Sequence, residues 1–260
     1  MATTVSPSAS LPASTEPKEL EHGVAPLRAG QGHEFLLRRL HSLSGIVPVG
    51  AFLLEHILYS NAIATQGPAA YAKQVRFLGS LPFVIALEAL GIWIPILFHA
   101  LYGFWIWYRG KGNVISYPWA GNWMYTLQRW TGLIAFAYIV WHTYSLRFTG
   151  IDLHMFPGAS FGKVQNELAV LGYFVFYLVG LLAAAWHFSY GVWLFMAKWG
   201  IVIGEQARRK TLIVCMGLFV LISGVGVASI YSFKYRYPKM PFDKDSARQI
   251  ENMQPEETAK

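Results

Sequence analysis

The 260-residue chain is 54% hydrophobic and 16% aromatic, with only 13% charged side chains and a mean hydropathy of +0.36. This balance excludes an ordinary soluble domain and suits a small integral membrane bundle. The net charge of +7 builds no nucleic-acid groove, because the basic residues flank apolar runs, and the single Cys215 excludes a disulfide framework or a thiolate metal cluster.

Residues 1–34 are rich in Ala, Ser, Thr, Pro and Glu without an apolar period, and are predicted to form a flexible tail. The tail lacks both the apolar core of a signal peptide and the Arg-rich amphipathic face of a transit peptide, so it is expected to stay with the mature chain. His22 and His33 read as surface histidines. Five apolar segments follow, at about residues 42–64, 82–108, 127–146, 168–197 and 212–233. Each reaches the roughly 20 residues a helix needs to cross the hydrocarbon core. Backbone groups in lipid must satisfy one another, so the predicted fold is all-α: a five-transmembrane-helix bundle over residues 35–235, followed by a polar tail over 236–260. Trp105, Trp107, Trp119, Trp123, Trp130 and Trp199 crowd the segment ends, as amphipathic rings do at headgroup depth.

Loop charge sets the expected orientation. With the N-terminus cytoplasmic, the inner side carries Arg38, Arg39, Arg109, Lys111, Arg129, Lys198 and the Arg208-Arg209-Lys210 run, against Lys73, Arg76, Arg147 and Lys163 outside. Lys234, Arg236, Lys239 and Lys244 in the C-terminal tail pull the other way, but the first helix and the inner loops are expected to dominate.

Four of these segments each hold one deeply placed histidine: His56, His99, His142 and His187. An imidazole in that position has no water and must find a partner. At about 1.5 Å per residue, His56 and His142 each lie roughly 21 Å from the inner face, whereas His99 and His187 lie only about 13 to 18 Å from it. Four histidines at two levels pair as axial ligands of two haems: His56 with His142 on an outer iron, His99 with His187 on an inner iron. No Cys-x-x-Cys-His run is present, so these are b-type haems.

Eleven residues make about three turns, which sets Gly45 on the face of His56, Thr131 on that of His142 and Glu88 on that of His99. Gly45 and Thr131 then fall at the level of the inner haem, the glycine admitting a flat macrocycle and the threonine hydroxyl available to a propionate. Gly180 and Gly191 flank His187 on nearly one face, where ordinary small-residue packing serves equally well. His41, Arg38 and Arg39 open the first helix and suit either haem propionates, a partner subunit or simple flanking charge. Glu88, roughly 9 Å into the second segment, is a candidate proton carrier for quinone chemistry or a structural link to a neighbouring helix. Glu55 points away from His56 and suits an interhelical pair, His154 is a loop histidine, and Pro48 and Pro95 are expected to bend their helices. The fifth segment has no histidine; Gly217, Gly224 and Gly226 suggest close packing, and Cys215 and Met216 read as packing residues.

The runs Arg38-Arg39-Leu40-His41-Ser42, Leu81-Pro82-Phe83, Phe98-His99-Ala100-Leu101-Tyr102-Gly103, Asn122-Trp123-Met124, Leu127-Gln128-Arg129, Trp141-His142 and His187-Phe188-Ser189 resemble the dihaem cytochrome b558 membrane subunit of bacterial succinate dehydrogenases. The likeness spans about residues 35–233, in order and with no large gap. The resemblance implies a multi-pass subunit of the bacterial cytoplasmic membrane that anchors a flavoprotein and an iron-sulfur subunit. It further implies that the histidines matching His99 and His187 hold the haem nearer the iron-sulfur subunit. Electrons from succinate are then expected to reach a quinone, menaquinone by family likeness. Some dihaem relatives that resemble fumarate reductases carry a glutamate two residues before the fourth-helix ligand; here that position is Ala185, which favours succinate oxidation. A fumarate reductase cytochrome b, the dihaem anchor of a hydrogenase or formate dehydrogenase, and a haem-free transporter are the competing readings.

Overall fold

The computed structural model describes residues 31–252, so most of the predicted N-terminal tail, with His22, and the last eight residues lie outside the described residues. Every regular element among the described residues is helical. The first helix, α1, runs from Gly32 to Gln66. It begins well before the apolar run, because backbone hydrogen bonding continues past the hydrocarbon boundary into polar residues that water or headgroups can solvate. Pro48 has no N–H to return to the preceding turn, and the α-helix breaks beside it at Val47. A π-helical stretch, Glu55–Asn61, then carries His56, and a 3-10 turn, Ala62–Gln66, closes the rod.

Gly67, with φ 106°, turns the chain into α2, Pro68–Gly79. That backbone angle admits a glycine with little cost. α3 spans Val84–Arg109 and contains a π turn, Ala89–Trp93, immediately before the Pro95 turn. Inserting one extra residue there absorbs the missing proline hydrogen bond. α4, Ala120–Thr143, continues through a π turn, Tyr144–Phe148. After it come α5, Ser160–Ala169, α6, Leu171–Lys198, α7, Glu205–Arg236, and α8, Lys244–Asn252.

Four of these helices, α1, α3, α6 and α7, are long and apolar enough to cross a membrane. No residue in the most apolar stretch of α3 is fully buried within the protein. An apolar surface of that size needs lipid or a partner to cover it. α4 is also long, at 24 residues before its π turn, but carries Asn122, Gln128 and Arg129.

α6 is the central rod, packed on α4 on one side, α7 on the other, and α1. Tyr138 of α4 lies directly against Gly180, so that glycine serves helix packing. Gly226 of α7 faces Leu181, whose Cδ1 would stand 2.6 Å from an added Cβ. Gly217 and Gly224 meet nothing within 4 Å, so close packing of α7 on the bundle rests on Gly226 alone of the three. The buried core gathers toward one end, where Ile57, Phe161, Leu168, Tyr177, Ile222 and Phe233 tie α1, α5, α6 and α7 together.

Alternation of helix direction brings the C-terminal ends of α1, α4 and α7 and the N-terminal ends of α3 and α6 to this same end, which α2, α5 and α8 cover. Residues 237–252 are therefore folded, not a free tail: Ala247 and Ile250 of α8 are buried. Gln165 donates to the carbonyls of Tyr237 and Pro238 and accepts from the Met240 amide at 2.7 Å, while the Tyr237 hydroxyl donates to the Thr65 carbonyl at 2.7 Å. Lys234 donates to the Leu168 carbonyl. Lys163 reaches the last carbonyls of α4, 3.0 Å from that of Leu146, and burial lowers its ammonium pKa from the ordinary value.

Gly162 sets the fit of the C-terminal segment, since an added Cβ would stand 2.6 Å from both the Met240 and Pro241 carbonyl oxygens. Gly162→Val is expected to cost about 1–3 kcal/mol by overpacking and to release the segment beyond Tyr237. Limited proteolysis should then cut that segment while the rest of the chain stays intact.

Candidate metal centres

The four histidines of the sequence pattern meet in the two predicted pairs. His56 and His142 stand with ring centroids 5.8 Å apart at an interplanar angle of 73°. His99 and His187 stand 6.1 Å apart at 81°. Two imidazoles gripping one metal ion from opposite sides have centroids about 6 Å apart, given a metal–nitrogen bond of about 2 Å. Both pairs fit that requirement. No cluster of three or more His, Cys, Asp or Glu side chains suited to a metal occurs among the described residues.

The separation of the pairs follows from their neighbours. Gly45 of α1 faces His99, with an added Cβ 2.8 Å from Nδ1, and Gly132 of α4 faces His187, with an added Cβ 2.7 Å from Cε1. His56 lies eleven residues beyond Gly45, and His142 ten beyond Gly132. Both helices thus place the two pairs about 15 Å apart along the bundle.

Each inner imidazole is fixed by a backbone carbonyl. Nδ1 of His99 lies 2.9 Å from the His41 carbonyl and Nδ1 of His187 lies 3.0 Å from the Gln128 carbonyl. A hydrogen bond at Nδ1 sets the tautomer and leaves Nε2 as the coordinating nitrogen. Gln128 also donates through its side chain to the His187 carbonyl at 3.0 Å, closing a two-way clasp between α4 and α6. His142 uses a different partner, the Tyr177 hydroxyl 3.4 Å from its Nδ1.

His41 stacks on His99 with centroids 4.1 Å apart and planes 12° from parallel, and Gly103 makes room for its Nε2. Arg39 donates to the Lys198 carbonyl at 3.0 Å and lies over the Trp199 ring, so it caps the C-terminus of α6. Arg38 pairs with Glu34 at 2.7 Å and lies near the Trp105 ring. The Thr131 hydroxyl bonds back to the Leu127 carbonyl at 2.7 Å, so its donor is used within α4.

Glu88 stands away from both pairs. Its carboxylate meets Arg147 at 3.2 Å and His154 at 3.4 Å, joining α3 to the α4–α5 connection. Beside it, the His154 and Met155 amides donate to Asp152, the first of them chiefly holding its carboxyl below the ordinary value. Glu55 bonds Ser60 within its own helix, and Ser60 accepts from Gln74 of α2 at 3.1 Å.

Several participants were not found from the sequence. Gly132, Gln128 and Tyr177 touch the histidines directly. The Tyr102 hydroxyl, Gln128 Oε1 and Arg129 Nε are buried without a hydrogen-bond partner, and Tyr102 lies 5.8 Å from His41 ring to ring. Buried polar atoms are rarely left unpaired, so an anionic edge of a bound group near the inner pair would satisfy the two donors. Spacing from Gly132 to His142 could have flagged the glycine; the other contacts depend on a neighbouring helix.

Comparison with known proteins gives this arrangement its class. Residues 112–226 match the family model of the succinate dehydrogenase/fumarate reductase transmembrane subunit. The chain is also 38% identical over 200 residues to the succinate dehydrogenase cytochrome b558 subunit of Bacillus subtilis (strain 168), an alignment covering 77% of this chain and 97% of that relative. The chain belongs to the succinate dehydrogenase cytochrome b558 subunit family. Haem b is the group this family implies, and the two imidazole pairs, the glycine clefts and the unpaired donors fit it.

Gly45→Val and Gly132→Val would push against His99 and His187 respectively, at an overpacking cost of about 1–3 kcal/mol each. Both substitutions are expected to lower the haem content per chain, measured by pyridine haemochrome absorbance on the purified complex.

Proposed function

We propose that this chain is the membrane anchor of a succinate:quinone oxidoreductase and holds two b haems, an inner one between His99 and His187 and an outer one between His56 and His142. The observation that carries the proposal is the recurrence of one geometry at two levels of the bundle: ring centroids 6.1 and 5.8 Å apart, each pair drawn from two different helices. The haems, when bound, supply one-electron redox chemistry. The residues around them hold and orient. Each site would offer a bound haem two imidazoles, which would suit it to passing electrons and not to binding oxygen. Carbonyls of His41 and Gln128 fix the inner ring planes, while Gly45 and Gly132 let the helix backbones close in. Tyr102 and Arg129 have free buried donors suited to propionates.

In this reading α4 is a fifth membrane span beside α1, α3, α6 and α7, the chain lies in the bacterial cytoplasmic membrane, and the N-terminus is cytoplasmic. Flavoprotein and iron-sulfur subunits dock at the end that bears Arg38, Arg109 and Lys198, the end nearer the His99–His187 pair. A membrane quinone, menaquinone by family likeness, accepts the electrons. Ala185 is fully buried, so no carboxylate stands one position short of Trp186 on the ligand helix, which supports succinate oxidation over quinol-driven fumarate reduction. If quinone takes its protons from outside, two electrons crossing outward gain about 4.6 kcal/mol per 100 mV of potential.

A redox-titrated absorption spectrum tests the core of the proposal. The parent complex should show two b-type components; His56→Ala or His142→Ala should remove one, and His99→Ala or His187→Ala the other. A colourless complex, or four variants that all retain the full pigment, would falsify the assignment. In sealed vesicles, succinate-to-quinone turnover should rise with an imposed inside-negative potential. Glu88→Gln addresses quinone protonation: the ion pair to Arg147 supports a structural carboxylate, and turnover slowed more than about tenfold with unchanged haem spectra would instead make it a proton carrier.

A further inference from the structure

The inner and outer pairs are supported by different chemistry. Both inner ligands bond neutral backbone carbonyls at Nδ1. His142 instead meets the Tyr177 hydroxyl, 3.4 Å from its Nδ1. Tyr177 is almost fully buried, and its hydroxyl meets two further groups, the carboxylate of Glu167 on α5 and the Ser145 hydroxyl. Trp141, the residue next to His142, donates from its indole nitrogen to the same carboxylate at 2.8 Å. Glu167 is thus fixed from two directions, one through the neighbour of the histidine and one through the hydroxyl that touches it.

Proton positions follow from the partners. A carboxylate oxygen accepts, so the Tyr177 O–H donates to Glu167, and the tyrosine oxygen is left to accept from His142 Nδ1–H beside the Ser145 hydroxyl. The negative charge at the end of this chain draws the imidazole proton toward the tyrosine and increases the electron density on Nε2. A richer donor favours the oxidised metal over the reduced one. The low dielectric of the bundle strengthens the effect, because the carboxylate is close and little water screens it.

We propose that Tyr177 and Glu167 are positioning residues that orient His142 and lower the midpoint potential of the outer haem alone, a lever the inner pair does not have. The inference rests on the reading of His142 as a haem ligand. It also gives α5, a short helix that the apolar pattern of the chain does not demand, a task in the electron path: it carries the charge that sets the outer potential.

The test is a potentiometric titration of the assembled complex, with electron paramagnetic resonance reporting ligand geometry at each haem. Glu167→Gln and Tyr177→Phe should each raise one midpoint potential, changing the reduced-to-oxidised ratio at fixed potential by about tenfold, or about 59 mV for one electron. The second potential should stay at the parent value, and Glu167→Asp should restore much of the first. Two unmoved potentials in the assembled Glu167→Gln complex overturn the inference, as does an equal shift of both. Should Tyr177→Phe fail to assemble, Glu167→Gln decides, since it keeps side-chain volume and sits nearer the surface. His142→Ala separates the two layers of argument: loss of one b component upholds the ligand reading whatever Glu167 does, and its retention removes the basis of both.

Discussion

An imidazole placed in a dry helical bundle has two nitrogens and no water, and the bundle is organised around satisfying both. In each inner case one nitrogen is spent on a carbonyl of a neighbouring helix, His99 on His41 and His187 on Gln128. That bond crosses from α3 to α1 and from α6 to α4, so the same contact that orients an imidazole also fixes a helix pair. Gly45 and Gly132 are the steric counterpart, since any side chain there would collide with the rings they face. Helix packing and ligand geometry are one constraint here, and the polar residues that serve it lie inside segments that otherwise read as plain hydrocarbon.

The end of the bundle that carries α2, α5 and α8 shows how the remaining polar groups are settled. Carbonyls at helix ends and in the segment after α7 are met by Lys163 and Gln165 of α5, by Lys234 of α7 and by Tyr237 just beyond it. These bonds knit a compact cap around the buried cluster of Phe161, Leu168 and Phe233. The opposite end has no such layer among the described residues; Arg39 and Arg129 there bond helix termini directly, and Trp199 donates to the Ser42 hydroxyl of α1. That open end bears the exposed cations Arg38 and Arg109, whereas the capped end lies beside the His56–His142 pair.

Much of this was legible in the chain. The apolar runs identify the long rods, and alternation of their direction pairs His56 with His142 and His99 with His187 before any contact is known, because depth along a helix is a matter of counting. Gly45 was likewise placed at the inner level by three turns of helix. Counting failed where the helix ceased to be an α-helix. Glu88 was set on the stripe of His99, but the Ala89–Trp93 π turn lies between them, and one added residue rotates the earlier turn by about 100°. Glu88 consequently meets Arg147 and His154. Thr131 and Arg39 were placed correctly along their helices but are used elsewhere, one on its own backbone and the other on the end of α6.

The sequence by itself determined the membrane setting of the protein, its long apolar helices and the depth of each histidine, since apolar length and residue spacing depend only on the local chain. The tertiary structure decided which carbonyl holds which imidazole, that Gly132 and Tyr177 stand beside His187 and His142, and that the stretch past Tyr237 folds back as a cap. Those facts depend on which face of one helix meets which face of the next. Rotation about a helix axis is set by packing, by proline breaks and by π turns, and no count of residues along a single segment contains it.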